Sequence, residues 1–211
     1  MKLENKVAIV TGGAMGNGLG IVKVFLKYGA KVIIFDYSDK LEQTIEELKK
    51  ENYEVDGYLV DIRDKNKIME NIEKVTQKYG TIDILVNNAG VSKLTPFLET
   101  PDDIRDFHFD INIKGAWNMC QAVLPHMQKD GAIVNLSSVT GTMVADSGEV
   151  AYATTKAALL GFTKGLAAEV VIVELGELAA FLASNESSYI TGQGFVIDGG
   201  STLPETSSMG V

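Results

Sequence analysis

Val7-Ala8-Ile9-Val10-Thr11-Gly12-Gly13-Ala14-Met15-Gly16-Asn17-Gly18-Leu19-Gly20 passes from an unbroken apolar run into a glycine-rich turn, and a helix-periodic stretch follows. The run reads as a buried strand. The glycines let the backbone turn tightly and approach a pyrophosphate, while the free N–H groups at the start of the next helix point at the anion. No Gly-Lys-Ser/Thr follows, so this is not a nucleoside-triphosphate P-loop. A glycine-rich stretch alone says little; between a strand and a helix it points to a dinucleotide. Gly12, Ala14, Gly16, Asn17, Gly18 and Leu19 are the candidate contacts.

Outward from that turn the chain repeats the same alternation. Lys31–Phe35, Val55–Val60, Ile82–Val86, Ala132–Leu136 and Gly194–Ile197 read as further strands, mostly apolar throughout rather than alternating, as expected of parallel strands covered on both faces. Between them Ile21, Phe25 and Tyr28 form one helical stripe, Leu41, Ile45 and Leu48 a second, and Ile68, Ile72, Val75 and Tyr79 a third. Asp39, Asp64 and Thr100 (before Pro101) are placed to cap helices. Repeated strand–helix–strand units predict one α/β domain over 1–211, a Rossmann-type doubly wound parallel sheet in a three-layer αβα sandwich.

Composition narrows the function classes. Apolar residues make up 45% and charged residues 22%, the balance of an ordinary globular protein. A net charge of −9 and no basic cluster speak against nucleic acid as a partner. The single cysteine, Cys120, permits no internal disulfide and suits a reducing cytoplasm; its apolar setting predicts a buried structural thiol. No apolar run approaches the ~20 residues that span a bilayer, and the N-terminus has no signal-peptide pattern. His108 and His126 lack ligand spacing and read as structural, and no metal is expected.

The remaining candidates fall where an open parallel sheet binds ligands, beyond the carboxyl ends of its strands. Asp36 ends the second strand, where a carboxylate accepts hydrogen bonds from ribose hydroxyls and repels a 2′-phosphate; with no Lys or Arg in the glycine turn, the expected cofactor is NAD, with NADP the weaker fit. Asp61 and Ile62 follow the third strand, and Asn88, Ala89 and Gly90 the fourth; turn chemistry alone would also explain the asparagines. Tyr152 and Lys156, at i and i+4, share one helical face, so the ammonium lies beside the phenol. A neighbouring cation favours the phenolate, which suits the hydroxyl to exchanging a proton with an alcohol or carbonyl. Such a pair is common by itself. Its place after the fifth strand, with Ser137-Ser138 at the same sheet edge, gives it weight.

Taken together, TGGAMGNG, NNAG (Asn87–Gly90) and YATTK (Tyr152–Lys156) resemble the motifs of the short-chain dehydrogenase/reductase family, and FVIDGG at Phe195–Gly200 resembles its last strand. The stretches DFHFDINIKGAWN, SSVTGTMVAD and IDGGSTLPE are similar to one bacterial oxidoreductase group within it. The resemblance implies that Tyr152 donates or accepts the proton and that Ser138 polarises the substrate oxygen. It implies that Lys156 lowers the tyrosine pKa and holds the nicotinamide ribose. Asn112 is the fourth member of the set, holding a water that links Lys156 to solvent. Asp61 is expected at the adenine and Asn88 near the ribose, and a homotetramer is the family's usual assembly. The expected function is an NAD(H)-dependent oxidoreductase interconverting a secondary alcohol and a carbonyl; the alternative is a non-catalytic NAD-binding regulator on the same fold.

One region departs from the family. From Ala151 the chain reads as helix, then the β-branched run Val170–Val173, then helix again to Ser184, with no room for the sixth strand and substrate-covering loop. Roughly forty residues are expected to be absent near Glu169–Val173. An intact mass near 22.8 kDa would establish that the protein itself is this short.

Overall fold

Every residue of β1 (Val7–Thr11) is buried, as a strand must be when helices cover both faces of a parallel sheet. In the computed structural model, which describes residues 2–170, β1 is the centre of a sheet that also contains β2 (Lys31–Asp36), β3 (Val55–Leu59), β4 (Ile82–Asn87) and β5 (Met127–Asn135). The order is β3-β2-β1-β4-β5 and each pairing is parallel. The chain reverses its direction of travel between β1 and β4, which opens a crevice at their carboxyl ends.

Helices α1 (Gly16–Lys27), α2 (Leu41–Lys50) and α3 (Lys65–Tyr79) form the crossovers. After β4 come α4 (Asp102–Phe109), a π-helical segment at Asp110–Gly115 and α5 (Ala116–Val123), and α6 (Val150–Val170) follows β5. Ala8, Val10, Val32, Ile34, Ile84 and Val86 pack with Val22, Leu26, Leu41 and Leu48 of α1 and α2. Strand residues alternate between faces, so Ile9, Ile33, Phe35 and Leu85 are buried on the other side. There α5 packs on β4 and β5, and α3 on α5. The result is the Rossmann-type three-layer sandwich that the periodicity implies. Proximity of Cα atoms divides the chain into Met1–Leu160 and Gly161–Val211; the sheet lies in the first.

Several local expectations need correction. The inner stripe of α1 is Gly18–Val22–Leu26, with Ile21 and Phe25 on its flank. Asp64 caps α3 by accepting from Lys67 N, but Lys40 and Pro101, the residues just before α2 and α4, supply no side-chain cap. Next to α2, Lys40 N is taken by Ser38 Oγ instead of Asp39. The fifth strand begins at Met127 and its register against β4 slips between Ile82 and Ile84, so the polar stretch before Ala132 is accommodated as an irregularity. Among the described residues β5 is an edge strand, and Val134 on it is 44% exposed. The sixth-strand region beyond Val170 and the strand expected at Gly194–Ile197 lie outside the described residues. Among those described, no helix is long and apolar enough to cross a membrane.

Candidate active site

The glycine turn is built by close approach. Gly12 has φ +65°, and a Cβ there would lie 2.9 Å from the Ala89 Cα. A Cβ at Gly18 would lie 2.0 Å from the Gly12 carbonyl oxygen and 2.6 Å from Asn88 Nδ2. No side chain fits either place, so the first turn of α1 packs directly onto the backbone of the loop and onto β4. Thr11 and Asn88 lock that arrangement. Thr11 Oγ1 accepts from the N–H groups of Asn88 and Ala89, both at 3.0 Å. Asn88 Nδ2 donates to the carbonyls of Thr11 (2.9 Å) and Gly12 (3.0 Å). Asn88 is therefore the floor that joins the two central strands.

A cavity of about 600 Å³ opens above this floor, within the range of small-molecule and cofactor sites. Its lining includes Gly12, Asn17, Gly18, Asp36, Asp61, Ile62, Asn88, Ala89, Gly90, Tyr152 and Lys156. Ala14, Gly16, Leu19, Asn112 and Ser138 are not part of the lining. Ala14 nevertheless ties the turn to Asp36: its N–H donates to Asp36 Oδ2 at 2.8 Å, and Ser38 N donates to Oδ1 at 2.9 Å. An ionised carboxylate offers about four lone-pair sites, so Asp36 keeps acceptor capacity on the cavity side.

Asp61 is differently engaged. Arg63 grips both its oxygens through Nε and Nη2, and Arg63 N adds a bond at 2.9 Å. Those hydrogen bonds outweigh burial and hold the Asp61 carboxyl below the usual carboxylate range. Arg63 also lines the cavity, beside Phe107. No local pattern marks this clamp, because an Arg at i+2 from a loop Asp is unremarkable until the loop folds back.

At the other end of the cavity, Lys156 is 6% exposed and its Nζ donates to the Leu136 carbonyl at 2.6 Å. Burial pushes its pKa down. The same Nζ lies 5.8 Å from the centre of the Tyr152 ring, so the helical spacing does bring cation and phenol together. Asn112 sits in the π-helical segment, a type of irregularity often found at functional sites. Its amide accepts from Val91 N (2.8 Å) and donates to Val91 O (3.0 Å) and Thr155 Oγ1 (2.9 Å). A Cβ at Gly90 would be 3.3 Å from Asn112 Oδ1 and 3.5 Å from Lys156 Nζ, so both groups crowd around that glycine. Of the two serines after β5, Ser137 lines the cavity and donates to the Lys156 carbonyl at 2.7 Å. Ser138 Oγ accepts from Thr140 N at 3.2 Å.

Cys120 is buried under β4, where Asn87 Nδ2 donates to its sulfur at 3.3 Å; burial pushes the thiol up to about 11, which suits a structural and unreactive group.

A doubly wound parallel sheet with its cavity at the β1/β4 switch point defines a dinucleotide-binding α/β protein. The family model for short chain dehydrogenases matches residues 6–174. Oxidoreductase UcpA of Escherichia coli (strain K12) is 44% identical, in an alignment spanning 100% of this chain and 99% of the relative. The crystal structure of gox2181 superposes with a TM-score of 0.77 at 34% identity, covering 80% of this chain and 67% of that one. A short chain dehydrogenase from Burkholderia cenocepacia J2315, in complex with NADP, gives a TM-score of 0.75 at 30% identity, covering 80% of this chain and 70% of that one. The chain belongs to the short-chain dehydrogenase/reductase family, oxidoreductases that act on small molecules with a nicotinamide cofactor. The alignment to the Escherichia coli relative runs over 261 positions against 211 residues, so about fifty positions have no counterpart here. That is the order of the gap expected near Glu169–Val173.

Proposed function

We propose that the protein is an NAD(H)-dependent oxidoreductase that interconverts a secondary alcohol and a carbonyl, with Tyr152 as the general acid and base. The observation that carries this reading is that Tyr152 and Lys156 line the same cavity as the glycine turn and Asp36. The cavity's residues fit a dinucleotide. Gly12 and Gly18 leave the turn without side chains where a pyrophosphate would approach, and Asp36 has acceptor sites to spare for ribose hydroxyls. The carboxylate favours NAD, because a 2′-phosphate beside it would be repelled. The neighbouring structure that holds NADP makes this the point most worth measuring.

When bound, the nicotinamide accepts or supplies a hydride at its C4. Everything else falls to the chain. In the oxidising direction Tyr152 takes the alcohol's proton as the hydride leaves its carbon; in the reducing direction it returns that proton to the carbonyl oxygen. The Lys156 ammonium stabilises negative charge on the phenol oxygen and is held in place by the Leu136 carbonyl. Ser138 is assigned to the substrate oxygen, and Asn112 to the water that connects Lys156 with solvent. Asp61 and Ile62 are assigned to the adenine and Asn88 to Gly90 to the ribose side. A homotetramer in the cytoplasm is the setting we infer from the resemblance.

NADH fluorescence with and without a panel of carbonyl compounds tests the reading. Binding with turnover is the expected result. Binding without turnover across the panel would favour a non-catalytic NAD-binding regulator.

A further inference from the structure

His108 is wholly buried in α4 and has no role in the function proposed above. Its ring bridges two backbone groups. Lys93 N donates to Nε2 at 2.9 Å, and Nδ1 lies 2.7 Å from the Ile104 carbonyl oxygen. A backbone N–H can only donate, so Nε2 must present a lone pair; a carbonyl can only accept, so the ring proton sits on Nδ1. The imidazole is thereby fixed as one neutral tautomer. An aliphatic side chain would fill the same space without a polar group to satisfy.

The bond to Lys93 completes a set. One turn further along, Asn112 holds both backbone groups of Val91. Positions 108 and 112 share a helical face, so a single face grips three groups of the loop after β4. Val91 and Ser92 of that loop line the cavity. Just beyond, Thr95 N donates to the Gly148 carbonyl at 2.9 Å, which links the loop to the segment leading into α6 and Tyr152.

We propose that His108, held as the Nδ1–H tautomer, is a positioning residue that fixes the Val91–Ser92 wall of the cofactor cavity by holding the N–H of Lys93 next to it. The latch stands on its own geometry; that the wall faces NAD(H) rests on the function proposed above.

Two variants separate the two bonds. In His108→Gln the amide oxygen reaches the place of Nε2 and keeps the acceptor for Lys93. In His108→Asn the amide nitrogen takes the place of Nδ1, keeps the bond to Ile104 and abandons Lys93. Loss of one such bond corresponds to about fivefold to tenfold in an equilibrium constant. The Asn variant is expected to weaken NADH binding by about that factor and to speed amide exchange at Lys93, with the Gln variant within about twofold of wild type on both. Equal effects in the two variants would reduce His108 to packing and overturn the proposal. In the wild type, ¹⁵N NMR should find His108 protonated at Nδ1 alone; an Nε2–H ring or an imidazolium would also overturn it. Should wild type fail to bind NADH, the function proposed above falls and with it the wall's assignment to NAD(H), while ring NMR and Lys93 exchange still decide whether the latch exists.

Discussion

At the amino ends of the strands, Asp83 accepts from Lys6 Nζ at 2.9 Å and Val7 N at 2.8 Å, and Asp56 takes Tyr79 Oη at 2.6 Å together with Lys78. Lys49 adds its charge to Asp56 from 3.6 Å. At the carboxyl ends, among the described residues, Asp36 accepts from two backbone N–H groups and Lys156 donates to one carbonyl. The first set is closed: its charges face each other and hold strands and helices together. The second keeps acceptors and donors turned toward a cavity. The same sheet therefore has an end built for stability and an end built for a ligand, and substitutions at each end separate the two.

The largest effect belongs to the open end. Tyr152→Phe removes one oxygen and little packing, so turnover should fall at least about a hundredfold. NADH affinity and melting temperature should stay near wild type. Wild-type kcat in that variant would end the assignment of Tyr152. Asp83→Ala is the opposite case. It removes the acceptor of Val7 N and one ion-pair partner of Lys6 and should cost about 1–3 kcal/mol of unfolding free energy, read by urea denaturation, with NADH affinity unchanged. A drop in NADH affinity as large as the drop in stability would show that the two ends are not independent. Asp36→Ala comes next. It should narrow the preference for NAD over NADP by about tenfold, the worth of one charge-assisted interaction. Identical relative affinities before and after would remove Asp36 from the cofactor site.

Much of this division is readable in the sequence, and the unread part has a common cause. The apolar run Val7–Thr11, the glycine turn and the i, i+4 pair Tyr152/Lys156 are local patterns whose geometry follows from strand and helix periodicity. The inner stripe of α1 was not settled that way, because Ile21/Phe25 and Val22/Leu26 lie side by side and only the position of β1 chooses between them. The grip of Arg63 on Asp61 depends on how a loop folds back. By its sequence His108 reads as an ordinary structural histidine, since nothing local reveals that Lys93, 15 positions earlier, supplies its partner. Asn112 needed the resemblance for its role, and its three amide bonds come from two separate elements.

The smallest effect sharpens the closed end by its pH dependence. Burial raises the Tyr79 hydroxyl, and its hydrogen bond to Asp56 raises it further, to about 12, against an ordinary value of ~10. A group whose folded-state pKa lies above the unfolded value contributes stability that is complete below ~10 and is lost as pH rises through about 12. The difference in unfolding free energy between wild type and Tyr79→Phe should therefore be constant below that window and shrink across it. Tyr79 is half-buried, so solvent screening keeps the effect small. Urea unfolding of both proteins at closely spaced alkaline pH values measures it, with NADH affinity of the variant, taken at neutral pH, as the control from the open end. A difference that stayed flat through the window would mean that the hydrogen bond from the Tyr79 hydroxyl to Asp56 contributes nothing to stability, and that the closed end owes its stability to the lysines instead.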